Sequence, residues 1–122
     1  MNFTLPLPPS INKTYGVSRF GASAMYKKTV VKEWETKAGW EIKQQLLKLG
    51  VKKKQLPYKG KIRMDVTWYF LRNRDIDSGI KVLLDFLEDY NIYENDQQIV
   101  EVKMKKEFDA TNPRVEVLIE MC

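Results

Sequence analysis

Asp75 and Asp77 stand two residues apart in Arg74-Asp-Ile-Asp-Ser78; Lys81 and Asp85 follow Asp77 by four and eight residues, and Asp96 lies beyond the next apolar run. In extended chain, residues i and i+2 point to the same side, so Asp75 and Asp77 can share one cation. Two carboxylates held that close with nothing between them repel. Lys81 is about one helical turn past Asp77, and Asp85 is a further turn on, at the i,i+4 spacing. A compact loop after the helix would return Asp96 to the pair. Three carboxylates make a set of hard oxygen donors, which selects Mg²⁺ or Mn²⁺ with water in the open positions. Such an ion polarises a phosphoryl oxygen and activates a bound water, and a second ion stabilises the leaving oxygen. Lys81 and Arg74 would neutralise charge building on the phosphate. Each piece also has a plain reading: Asp77 as a helix N-cap, Lys81–Asp85 as a surface pair, Asp96 as a turn former. What argues for chemistry is their occurrence together in this order.

The whole stretch from Arg74 to Glu101 is acidic. It holds eight of the sixteen acidic residues and two of the twenty-one basic ones, a formal charge of −6 against +11 for the remainder. A basic chain with an acidic island fits a polyanionic partner and a local need for carboxylates, and affinity for DNA should fall steeply with salt. The absence of histidine from the sequence excludes Ser-His and Cys-His nucleophilic pairs and imidazole metal sites. The single cysteine, Cys122, excludes an internal disulfide and fits a reducing compartment. No run reaches membrane-span length and no signal peptide is seen, so the expectation is a cytoplasmic protein without a membrane partner. The 122 residues make a single domain, 1–122.

The elements that must position these residues follow from periodicity. Phe3, Leu5 and Leu7 alternate with polar residues and Pro6, which predicts a short edge strand. Residues 11–23 read as a loop with Gly16 and Gly21, carrying Lys13, Tyr15, Arg19 and Phe20, types that suit phosphate and base contacts. From Thr29 to Leu49, the residues Val31, Trp34, Ala38, Ile42, Leu46 and Leu49 mark one helical face, and Gly50 is placed as a C-cap. Lys61–Leu71 alternates most clearly, with Ile62, Met64, Val66, Trp68 and Phe70 on one side. Ile80, Leu83, Leu84, Leu87 and Tyr90 form the stripe of a second helix ending near Asn91, with Asp77 as its N-cap. Ile99–Lys106 is a strand with Val100, Val102 and Met104 on one face. Asp109, Asn112 and Pro113 form a turn before a last strand with Val115, Val117, Ile119 and Met121 on one face. The order β-α-β-α-β-β predicts an α+β fold, a small mixed sheet packed with two main helices.

The segment Asp75-Ile-Asp77-x-x-x-Lys81-x-x-x-Asp85, followed by Asn95-Asp96-x-Gln98-Ile99-Val100, resembles the RusA family of Holliday junction resolvases. Leu7-Pro8-Pro9-Ser10-Ile11-Asn12 is similar to that family's N-terminal Pro-Pro-Ser-x-Asn segment. The resemblance implies a homodimeric, Mg²⁺-dependent endodeoxyribonuclease, with Mn²⁺ as a substitute, that makes paired nicks in four-way DNA junctions. Asp75, Asp77 and Asp96 match the family's catalytic, metal-binding aspartates, Lys81 its catalytic lysine, and Arg74 the arginine beside the first aspartate. Arg74, Lys13, Arg19, Arg72, Lys27 and Lys28 are the candidate DNA contacts. Phage or prophage origin and roles in recombination and repair belong to the same implication. Two departures stand out: Ser78-Gly79 replaces the usual Asn-Leu, and Asn95-Asp96 replaces Asp-Asp.

The alternative of another class is a branched-DNA-binding protein that does not cut. It needs only the basic surface, and it should bind as well or better when the carboxylates are neutralised. A third reading, an adaptor built on the tryptophan-bearing helix, leaves the carboxylates unexplained.

Overall fold

The computed structural model describes residues 1–9 and 21–122, with residues 21–28 and 53 as backbone alone. The order of elements is the expected one: β1 (Asn2–Leu5), α1 (Gly21–Leu49), β2 (Ile62–Phe70), α2 (Ile80–Asp89), β3 (Ile99–Phe108) and β4 (Arg114–Met121). They form a mixed four-stranded sheet in the order β1-β4-β2-β3, an α+β fold. Strand β2 is central because its alternation is the most complete. Ile62, Met64, Val66, Trp68 and Phe70 are all buried, whereas the residues between them are half-exposed. Strand β4 runs antiparallel to β2 and places Val117 opposite Val66 and Val115 opposite Trp68. Strand β3 runs parallel to β2, and a parallel neighbour needs a crossover, which α2 supplies.

Both helices bury the stripe that faces the sheet. Trp34, Ala38 and Ile42 of α1 and Val82, Leu83, Phe86 and Leu87 of α2 enter one core, with Trp34 edge-on to Phe86 at 5.1 Å between ring centroids. The same device ends both helices. Gly50 (φ +73°) follows α1; its N–H donates to Leu47 O and that of Val51 to Leu46 O. Asn91 (φ +68°) follows α2, with its own N–H on Glu88 O and that of Ile92 on Leu87 O. In each case a left-handed residue lets two orphan helix carbonyls find donors.

The sheet edges are managed. Gln45 of α1 accepts from Thr4 N and donates to Thr4 O, both at 2.7 Å, and so closes β1's outer backbone. On β3 the register slips between Ile62/Ile99 and Arg63/Glu101, leaving Val100 as an extra residue. Such a bulge, and a lysine at the inward position Lys106, both discourage further strand pairing.

Several expectations change. Helix α1 begins at Gly21, overlapping the stretch read as loop, because Ala22, Ala24 and Met25 are good helix formers and no proline intervenes; the rest of that loop lies outside the described residues. Asp77 is not the N-cap of α2. Gly79 holds that place with no side-chain hydrogen bond, because the chain makes one more turn before the helix starts. The buried stripe of α2 includes Val82 and Phe86, while Ile80 and Leu84 are only partly buried. Val100 leaves the Val102–Met104 face at the bulge, and Val100 and Val102 are exposed because β3 is an edge. Leu49 and Met121, at element ends, are exposed.

Candidate active site

Strand β2 ends at Phe70, and its chain must turn back over the sheet to start α2. Residues 71–79 make that turn. Ser78 N donates to Asp75 O at 3.0 Å and Ile80 N to Asp77 O at 3.4 Å. The tight backbone leaves Asp75, Ile76 and Asp77 facing solvent while Ser78 is buried. The two carboxylates therefore stand together on one exposed turn, at the carboxyl end of the central strand. Arg72 is exposed on the same turn, and Lys81 follows on the first turn of α2.

Arg74 does not face solvent as a free cation. Its guanidinium lies 4.9 Å from the Phe70 ring centroid, its Nε donates to Ser78 Oγ at 3.1 Å and its Nη2 to Pro8 O at 3.0 Å. Burial lowers its pKa from the ordinary guanidinium value. The Pro8 ring packs where a side chain on Gly79 would be: a Cβ there would meet Pro8 Cγ at 2.6 Å. Ser78 and Gly79, which form the first of the two departures noted in the sequence, thus have defined tasks. One accepts from Arg74 and the other admits Pro8. Trp34 Nε1 donates to Pro6 O at 2.9 Å, so the proline-rich segment is tied to α1 as well as to the carboxylate turn.

Asp96 stands elsewhere. It opens a short 3₁₀ turn (Asp96–Gln98) directly before β3, at the end of the β2–β3 pair opposite to Asp75 and Asp77. Nine residues of β2, roughly 26 Å at about 3.3 Å per residue, separate the two ends. Asp96 N donates to Glu88 Oε1 at 2.8 Å, which fastens it to the last turn of α2. Asp85, Glu88, Asp89 and Asp96 all lie near enough to Tyr93 to act on its phenol. Burial raises the Tyr93 phenol pKa, and these four carboxylates raise it further; its hydroxyl donates to Leu84 O at 2.7 Å. Burial also raises the Asp85 carboxyl, opposed by Lys81 and reinforced by Asp89, Asp96 and Glu88. Among the described residues, no three His, Cys, Asp or Glu side chains are grouped so that they could hold a metal ion together.

Position 95 has a capping task. The Asn95 side chain accepts from Gln97 N at 2.8 Å, and Gln98 Oε1 accepts in return from Asn95 N and Glu94 N. Gln98 Nε2 then donates to Tyr58 O and Gly60 O, which holds this corner to the chain entering β2. Asparagine caps as well as aspartate, so the departure at residue 95 leaves the corner intact.

Sequence reasoning missed Lys106. Its Nζ donates to Asn73 Oδ1 at 2.9 Å and to Arg74 O at 3.1 Å, bracing the carboxylate turn from β3. The signal was present as a lysine in phase with Val102, Met104 and Phe108 on a strand face otherwise apolar. Lys13 and Arg19 lie outside the described residues, as do the side chains of Lys27 and Lys28.

Fold and turn together define a small α+β domain that presents paired carboxylates where its central strand meets a helix. The chain matches the family model described as Endodeoxyribonuclease RusA over residues 6–120 and belongs to that family. Its members are structure-selective endonucleases that resolve Holliday junctions, so the protein is a DNA-cutting enzyme whose partner is branched DNA. No curated protein sequence matches it. No helix among the described residues is long and apolar enough to cross a membrane.

Proposed function

We propose that this protein nicks four-way DNA junctions by divalent-ion-dependent phosphodiester hydrolysis, working as a homodimer whose paired sites make paired cuts. The observation that carries the reading is the exposed turn on which Asp75 and Asp77 stand together. Two carboxylates with water and phosphate oxygens completing the shell is how Mg²⁺ is commonly held. The residues fit the ion, and Asp75 and Asp77 would hold it, with Mn²⁺ able to take its place. When bound, it supplies Lewis-acid polarisation of the scissile phosphate and lowers the pKa of a coordinated water.

The chain's own residues have the remaining tasks. Lys81, one helical turn from the pair, places a cation where phosphate charge develops. Arg72 is the exposed basic contact for the strand being cut. Arg74, turned inward, acts on DNA through the turn it shapes. Asp96 is the third carboxylate, but in one chain it lies at the far end of the strand pair. A second copy could bring it to Asp75 and Asp77, and two-fold symmetry would then create two such sites at once. That gives dimerisation a role in the chemistry as well as in matching a junction.

The test compares the protein with Asp75→Asn on a labelled four-way junction. Cutting by the parent, with binding but no cutting by the variant, supports the reading. Equal binding and no cutting by both would favour a protein that recognises branched DNA without hydrolysing it.

A further inference from the structure

We propose that Lys106 is a positioning residue for the carboxylate turn: it fixes the peptide preceding Asp75 so that Asp75 and Asp77 are held together before any cation or DNA arrives. The inference rests on the nuclease reading above for its meaning, and on hydrogen bonds for its content. Lys106 occupies the inward face of β3, level with the buried Trp68 of β2. Val102, Met104 and Phe108 share that face. The methylene stem can pack on that face at no cost, but holding the ammonium beside it has a desolvation cost that an apolar residue would avoid. Among the described residues Lys106 has no carboxylate within ion-pair distance. Its ammonium is directed instead at two neutral acceptors of one turn, Asn73 Oδ1 and Arg74 O.

The second acceptor is the important one. The carbonyl of Arg74 belongs to the same rigid peptide plane as the N–H of Asp75, so fixing its oxygen fixes the orientation of the peptide that leads into Asp75. On the other side of the turn, the Arg74 side chain reaches Ser78 Oγ and Pro8 O, and Gly79 seats the Pro8 ring. The turn is thus gripped at residues 73–74 by Lys106 of β3, at Gly79 by Pro8, and across its span by Arg74 on Ser78. The residues between the grips are Asp75, Ile76 and Asp77. Asp75 and Asp77 are both exposed, two residues apart on one turn; like charges repel, and a turn free to move would let them part. A pre-organised pair needs a brace, and misplacement of a reacting group by about 1 Å costs on the order of a hundredfold in rate.

The experiment is hydrogen exchange on the metal-free protein without DNA, run on the parent, Lys106→Met, Lys106→Arg and Asn73→Ala, alongside junction binding and single-turnover cleavage. Lys106→Met keeps the apolar stem and removes the donors. It should speed amide exchange over residues 73–80 by about tenfold or more while β2 and β4 keep their protection. Cleavage should slow by tenfold to a hundredfold, with junction affinity within about threefold of the parent. Lys106→Arg, which can donate to both acceptors, should restore most of each effect. Asn73→Ala, a surface change that does not threaten folding, should loosen the same residues less.

Unchanged exchange over residues 73–80 in Lys106→Met would overturn the proposal. So would a uniform rise across β2, β3 and β4, which would make Lys106 a general stabiliser, or an affinity loss as large as the rate loss, which would make it a phosphate contact. Because exchange needs no substrate, a parent protein that failed to cut DNA would sink the nuclease reading and leave this test standing.

Discussion

The Glu88 carboxylate accepts the backbone N–H of Asp96 at 2.8 Å, tying Asp96 to the last turn of α2 and away from the turn that carries Asp75 and Asp77. Strand β2 lies between them along the parallel β2–β3 pair. If Asp96 completes the site, it does so in a second copy. Equal amounts of Asp75→Asn and Asp96→Asn, each inactive alone, should then regain activity on mixing. Random exchange makes half the dimers mixed, each with one intact site, so nicking should return to about a quarter of the parent level. The readout is single-strand nicking of a labelled junction after denaturation and co-refolding. No recovery would place all three carboxylates in one chain and require the Asp96 corner to move.

Lys81 is close enough to Asp85 to oppose the rise in its pKa. Lys81→Ala should lower the single-turnover cleavage rate by tenfold to a thousandfold, with junction affinity changed by less than about threefold. Measuring both on the same preparation decides the matter. A rate defect fully explained by weaker binding would reduce Lys81 to a phosphate anchor.

Asp85 gives a pH-dependent test that needs no DNA. Its carboxyl pKa is raised in the fold, chiefly by burial, and Glu35 on α1 is raised by burial together with Asp89 and Asp85. A raised folded-state pKa means a contribution to stability that is full below the unfolded value and is lost as pH climbs through the folded one. Asp85→Asn removes that loss. The variant should therefore melt above the parent at pH 7 in chelator, and the gap should close as pH falls below about 4, where both forms are neutral. A gap that persists in acid, or a variant less stable at neutral pH, would contradict this.

Gly50 tests the end of the long helix. Its φ is +73° and a Cβ would meet nothing within 4 Å, so only the backbone objects to a side chain there. Gly50→Ala should cost about 1 kcal/mol in urea denaturation. No loss would show that α1 ends without its left-handed residue.

How much of this could be read beforehand depended on whether a feature was periodic. The central strand, both helices and the Gly50 cap were legible, because alternation and three-to-four spacing report the faces buried in the core. The position of Asp75 and Asp77 just past the central strand was legible, and so was the Asp109 turn, where Asp109 Oδ1 accepts from Thr111 N and Asn112 N. The extra Val100 was not, because a bulge breaks alternation only in the presence of its partner strand. The extra turn before α2 was hidden because Asp77 has the chemistry of an N-cap and Gly79 has none. The inward turn of Arg74 was also invisible, since a guanidinium beside two aspartates reads as a phosphate ligand until Pro8, Ser78 and Phe70 surround it. The separation of Asp96 from Asp75 follows from the parallel pairing of β2 and β3, a long-range fact that no local window contains.

The most direct measurement is incubation of the protein with a labelled synthetic four-way junction and with linear duplex of the same sequence, in Mg²⁺, in Mn²⁺ and in chelator. The account predicts paired nicks in strands of like polarity, on the junction alone, with either ion and none in chelator. Tight junction binding with no cleavage in either metal, or equal cutting of the linear duplex, would contradict it.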